Sequence, residues 1–123
     1  MNDEGGQDDL RQRTKQFALR VVKLYQALPT SGAGAILGKQ VLRSGTSVGA
    51  HHREAFRSRT TAEFVSKMEV GTQELDETLY WLEILAEAGI VPSDRLHALS
   101  DEAEQLLAIF TASVKTAKRR TTR

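Results

Sequence analysis

Apolar residues recur along this chain at helical spacing. Leu10, Thr14, Phe17, Val21, Leu24 and Leu28 step by four, three, four, three and four, and Ala18, Val22 and Tyr25 widen the stripe. That period predicts an amphipathic helix over about 10–28, broken by Pro29-Thr30-Ser31-Gly32. A second stripe, Leu37, Val41, Ser44, Val48, His51 and Ala55, predicts a helix over about 33–57. Its seam is more polar, and it holds Gly38, Gly45 and Gly49. Each glycine costs about 1 kcal/mol against alanine in a helix interior. Gly45 and Gly49 lie one turn apart, so a neighbouring backbone is expected to approach closely there. The third stripe is Phe64, Met68, Gly71, Leu75, Thr78, Leu82 and Leu85. Thr60-Thr61-Ala62-Glu63 before it reads as a capping box, with Thr60 as N-cap and Glu63 reaching back. Gly89 is its C-terminal stop. The fourth helix follows Pro92, with Ser93 as N-cap, and runs through Leu96, Leu99, Ala103, Leu106, Phe110, Val114 and Ala117.

Four amphipathic helices joined by short loops predict an all-α chain, an antiparallel up-down four-helix bundle with left-handed shallow packing. The expected bundle spans residues 10–117, after a frayed acidic N-terminus at 1–9 and before a basic C-terminal tail at 118–123. Leu19, Ile36 and Leu42 fall outside the stripes. A helix that is apolar on two sides has a second partner, which points to oligomerisation.

Composition then removes several classes of function. There is no cysteine, so disulfides, thiolate catalysis and cysteine-based zinc sites are excluded. No apolar run approaches the roughly 20 residues of a membrane span. The acidic residues 1–9 are the opposite of a secretory signal, and a cytoplasmic protein is expected. The net charge of +1 hides a segregation: residues 11–32 hold five bases and no acid, 33–59 five bases and one acid, 60–91 one base and seven acids, and 115–123 five bases and no acid. Two readings follow: complementary packing of charged helices, within or between subunits, or a basic surface for nucleic acid. The candidates for the second are Arg11, Arg13, Arg20, Lys23, Arg53 and Arg57, with Lys118, Arg119 and Arg120 of the tail.

Chemistry-bearing residues gather on the second helix. Ser44, Ser47, His51 and Glu54 share one face, a row that invites a hydrolase reading. Side chains on one straight helix point outward in parallel, however, and no sharp turn presents a nucleophile. A hydrogen-bonded network that fixes helix register is the expected role. His51 and Glu54 also form a His-x-x-Glu pair, and Glu74 and Glu77 share a face of the third helix. Bundles that hold two metals need two Glu-x-x-His pairs; here the order is reversed and the pair is single. Glu54, Glu74 and Glu77 are instead expected to pair across helices with Arg43 or Arg53, and Trp81 to pack in the core or at a subunit interface. No phosphate loop, dinucleotide fingerprint or HExxH motif is present. The expectation is a non-enzymatic chain with no cofactor and no metal.

One stretch carries a resemblance. Arg43-Ser44-Gly45-Thr46-Ser47-Val48-Gly49-Ala50, followed by Arg53-Glu54-Ala55, resembles the signature of the bacterial 23S rRNA intervening-sequence proteins, and the likeness continues through Phe64, Lys67, Glu74, Glu77, Trp81 and Leu82. Gly49 and His51 belong to the same block; where the family usually has asparagine, this chain has His51. The resemblance implies an up-down bundle assembled into a homopentamer. A similar bundle is the accessory subunit of diversity-generating retroelements, where it binds a reverse transcriptase and nucleic acid. The function expected is thus that of a homo-oligomeric bundle, a pentamer by resemblance, that binds RNA or DNA, or a nucleic-acid enzyme, through basic surfaces. The alternative is a structural or protein-interaction module with no nucleic-acid role.

Overall fold

A computed structural model describes residues 4–121. Four helices follow one another: α1 (Glu4–Ala27), α2 (Gly32–Phe56), α3 (Thr61–Glu87) and α4 (Ser93–Thr121). Each packs on its neighbours in sequence, and α4 returns to α1. Among the described residues neither diagonal pair touches, so the helices form an antiparallel four-membered ring. The pair α1/α2 is therefore one layer and α3/α4 the other.

Local chemistry sets the helix ends. Thr60 is extended, and its hydroxyl oxygen accepts from the Glu63 N–H at 3.0 Å. Glu63 reaches back as expected, although its carboxylate accepts from the Arg59 N–H at 3.2 Å rather than from the cap residue's own. At the far end of α3, Gly89 takes φ +73°, and the N–H groups of Gly89 and Ile90 return to the carbonyls of Ala86 and Leu85. Ser93 is itself the first helical residue of α4, one position inside the expected cap.

Both termini are more helical than their composition suggests. The helix expected to begin at Leu10 begins at Glu4, because Gln7 and Leu10 are both buried. Burial thus overrides the poor helix propensity of Gly5 and Gly6. Helix α4 likewise continues through Lys118, Arg119 and Arg120, where cations suit a C-terminal turn. The parts of the expected frayed N-terminus and tail at 1–3 and 122–123 lie outside the described residues.

Phe17 and Val21 of α1, Val41 and Val48 of α2, Met68, Leu75, Leu82 and Leu85 of α3, and Ala103, Leu106 and Phe110 of α4 fill the core. The α2 stripe needs one correction: His52, not His51, turns into the core, and it is fully buried. Glycine governs the α1/α2 contact. A Cβ added at Gly38 would lie 2.8 Å from Leu28, and one at Gly49 would lie 3.1 Å from the Thr14 hydroxyl. At Gly45 it would meet both γ-carbons of Val21, at 2.7 and 2.9 Å. The α1/α4 seam is much thinner. Its lower end opens into a groove of about 510 Å³ between the first turns of α1 and the last turns of α4, with Leu10, Phe64 and Ile109 in its walls.

Gly45→Ala is expected to destabilise the bundle by roughly 1–3 kcal/mol in urea unfolding, through overpacking against the stiff Val21. In a Val21→Ala background the sign should reverse, because the helix-propensity gain of about 1 kcal/mol then stands alone.

Candidate functional site

The resemblance block and its partners on α3 form a continuous polar seam between α2 and α3. In its buried part the Ser44 and Thr78 hydroxyls lie 2.8 Å apart. Thr78 also donates to the Glu74 carbonyl at 2.8 Å, which leaves Ser44 to donate to the Thr78 oxygen. Both residues are fully buried, so the pair holds one helix in register with the other.

Outside this pair runs a line of ionic groups. Arg43 bridges Glu77 and Glu74, the latter at 3.3 Å. These two carboxylates hold the guanidinium pKa above its ordinary value, chiefly through the Glu77 hydrogen bond. Glu74 also faces the His51 Nε2 at 3.7 Å. At the lower end Glu54 pairs with Lys67 at 2.8 Å, and that hydrogen bond holds the Glu54 carboxyl below its usual range. Arg43 is thus the cross-helix partner of Glu74 and Glu77, while Glu54 takes Lys67 rather than either expected arginine.

The serine, histidine and glutamate row does not converge. The Ser47 hydroxyl donates to the Arg43 carbonyl at 2.6 Å, within its own helix, while Ser44 is sealed against Thr78. Among the described residues, no three His, Asp or Glu side chains are grouped so that they could hold a metal ion. Trp81 continues the seam, half-buried, with Tyr80 edge-on at 5.1 Å between ring centroids. Gly49 lies against α1, and Phe64 lines the lower groove.

The basic candidates separate into groups. Arg13 is bound to Glu102 of α4 by two hydrogen bonds, at 2.7 and 3.1 Å, which ties it into the thin α1/α4 seam. Lys118 reaches Glu69 at 3.2 Å. Arg20 and Lys23 are exposed along α1. Arg53 and Arg57 stand at the C-terminal end of α2, and Arg119 and Arg120 in the last turn of α4. The up-down topology brings these two C-terminal ends to the same end of the bundle. Arg11 and Arg53 both act electrostatically on His52.

That histidine is the residue the sequence pattern misplaced. Its Nε2–H donates to the Gln7 side-chain oxygen at 2.7 Å, and the Phe110 ring lies 6.0 Å from it, centroid to centroid. Burial, with help from Arg11 and Arg53, pushes its pKa down to about 4. A step of three or four fits the α2 stripe equally well at 51 and 52, so spacing did not separate them. Only the bulk of α1 and α4 around position 52 does.

A protein family described as 23S rRNA-intervening sequence protein matches residues 7–112. Among solved structures, a protein with unknown function of the S23 ribosomal protein family, from Bacteroides thetaiotaomicron, is similar to this chain at 29% identity and a TM-score of 0.83. The similarity covers 89% of this chain and 97% of that one. No curated protein matches.

Two outcomes follow from the buried polar groups. Ser44→Ala and Thr78→Val are each expected to cost about 1–2 kcal/mol, since each disrupts a buried hydroxyl pair. The double variant should cost less than their sum in a double-mutant cycle. For His52 the unfolded chain protonates near 6.5 and the folded chain only near 4. Stability should therefore be full above about pH 7, fall by up to about 3 kcal/mol as pH drops from 6.5 to 4, and level off below. That part of the pH dependence of urea unfolding should disappear in His52→Gln.

Proposed function

The chain belongs to the 23S rRNA-intervening sequence protein family, and we propose that it acts there as a non-enzymatic, homo-oligomeric bundle that binds a nucleic-acid backbone at its basic end. The observation that carries this reading is the convergence of two helix C-termini. The last turn of α2 and the residues just beyond it supply Arg53, Arg57 and Arg59, and that of α4 supplies Lys118, Arg119 and Arg120. Cations at helix C-termini complement the dipole, but two such ends at one end of the bundle concentrate positive charge on a single surface. The family name associates its members with ribosomal RNA, which favours RNA over DNA. An enzyme that itself holds nucleic acid, such as a reverse transcriptase, is a second partner of the same chemistry.

Several observations support the remaining parts. Among the described residues no side-chain cluster offers a converging nucleophile and base, which supports a non-enzymatic role. No helix among the described residues is long and apolar enough to cross a membrane. Leu19 and Ile36 stay exposed in the single chain at 53% and 66%, which supports self-association, with a pentamer as the assembly drawn from the family resemblance.

A second reading has its own support. Arg13 and Arg43 are neutralised by acids of the opposite layer, as a protein-interaction module without nucleic acid would have them. Filter-binding titration against single- and double-stranded RNA and DNA at two salt concentrations separates the two. Affinity is expected to fall steeply with salt, and Arg53→Ala with Arg57→Ala should flatten that slope by about one for each phosphate no longer neutralised. An absence of salt-sensitive binding at low micromolar protein would leave the interaction-module reading in its place.

A further inference from the structure

The charge asymmetry seen in sequence becomes a division between the two layers. Residues 11–59, essentially α1 and α2, hold ten lysines and arginines against one acid, Glu54. Residues 60–114, essentially α3 and most of α4, hold eleven acids against Lys67 and Arg95. Few of these charges meet inside the chain: among the described residues, Arg13 and Arg43 are the cations of the first layer that reach acids of the second in an ion pair. On the outer side of α1/α2, Lys15, Lys39 and Arg53 are exposed and in no ion pair. On the outer side of α3/α4 the same is true of Asp76, Glu83 and Glu104.

Each outer face also carries a large apolar side chain away from the core. Leu19 stands out from α1 at 53% exposure and Tyr80 from α3 at 54%. Tyr80 stands beside a groove of about 520 Å³ between α3 and α4, whose walls include Leu79, Glu83 and Glu104. An apolar centre rimmed by charge of one sign has the anatomy of an interface, and here the two faces of one molecule are of opposite sign.

We propose that the basic outer face of α1/α2 docks on the acidic outer face of α3/α4 of a second copy. This rests on the self-association part of the proposed function and assigns its surface. The two faces lie on opposite sides of the bundle, so the contact is heterologous: it closes into a ring or extends as a stack, and it does not form a two-fold dimer. Two basic faces, or two acidic ones, would repel, which selects against the isologous alternative. The basic end at the C-termini of α2 and α4 stays outside this contact.

Charge reversal tests the assignment. One variant carries Lys15→Glu and Lys39→Glu; the other carries Asp76→Lys, Glu83→Lys and Glu104→Lys. All five positions are exposed, and circular dichroism checks that each variant remains helical. Sedimentation equilibrium is expected to give the unaltered chain a mass several times 13.6 kDa, falling between about 0.15 M and about 1 M salt as the screening length shortens. Each variant alone should sediment as the single chain. An equimolar mixture should regain the assembly, because every basic face then has an acidic one to meet. An unaltered chain that is monomeric throughout would overturn both this assignment and the self-association reading. An assembly that both variants retain, or a mixture that fails to reassemble, would overturn the assignment alone and place the interface on another face.

Discussion

A β-carbon at position 45 would lie 2.7 Å from a methyl of Val21, and the rest of the molecule depends on that space being empty. Helix α2 touches α1 over a face from which side chains are missing, at Gly38, Gly45 and Gly49. Glycine inside a helix is a liability of propensity. It is repaid in packing, because two backbones come close enough for Val21, Tyr25, Leu28 and Thr14 to fill the gap from the α1 side. The opposite flank of α2 is then free to carry hydroxyls and charges toward α3. One helix thus serves as the spine of the bundle, dry and glycine-lined on one side and polar on the other.

The polar side works as a register device. Sliding α2 by one residue against α3 would separate Ser44 from Thr78 and leave both hydroxyls buried without each other. Outside them, Arg43 spans Glu74 and Glu77, one turn apart on α3. These surface pairs add little stability on their own, but they bias the same register. The features that resemble a hydrolase row in sequence therefore answer a packing requirement. Ser44 and Ser47 have their hydrogen bonds satisfied within or between helices, and Glu54 is held by Lys67.

Against α1, by contrast, α4 makes a thin seam, secured by Arg13 with Glu102. Gln7, which caps the buried His52, ties the start of α1 to α2 instead. A ring with three strong sides and one weak side opens along the weak side first. The layers it joins also differ in charge, and that difference is wider than folding uses. Lys15, Lys39 and Arg53 on one side, and Asp76, Glu83 and Glu104 on the other, have no ionic counterpart within the chain. Folding alone does not account for so lopsided a distribution; surfaces that meet partners do.

Much of this was legible in the order of residues. Period fixes helix number and type, because a stripe at 3.6 residues per turn has no other stable use. Thr60 and Gly89 mark the ends of α3, since cap geometry is a local property of a few residues. The glycines of α2 announce a close approach, and the charge segregation can be counted directly. What the sequence could not decide is which groups meet. Spacing allows either His51 or His52 in the core, and the volume enclosed by α1 and α4 selects His52. Charge pattern offers Arg43 or Arg53 to the acids of α3, and only the rotation of α2 turns Arg43 toward Glu74 and Glu77. Residues 4–9 are acidic and glycine-bearing, yet they are helical because Gln7 finds a buried histidine 45 positions away. Local propensity and periodicity are summed over neighbours in sequence, whereas burial and pairing are set by neighbours in space, and those exist only once the bundle has closed.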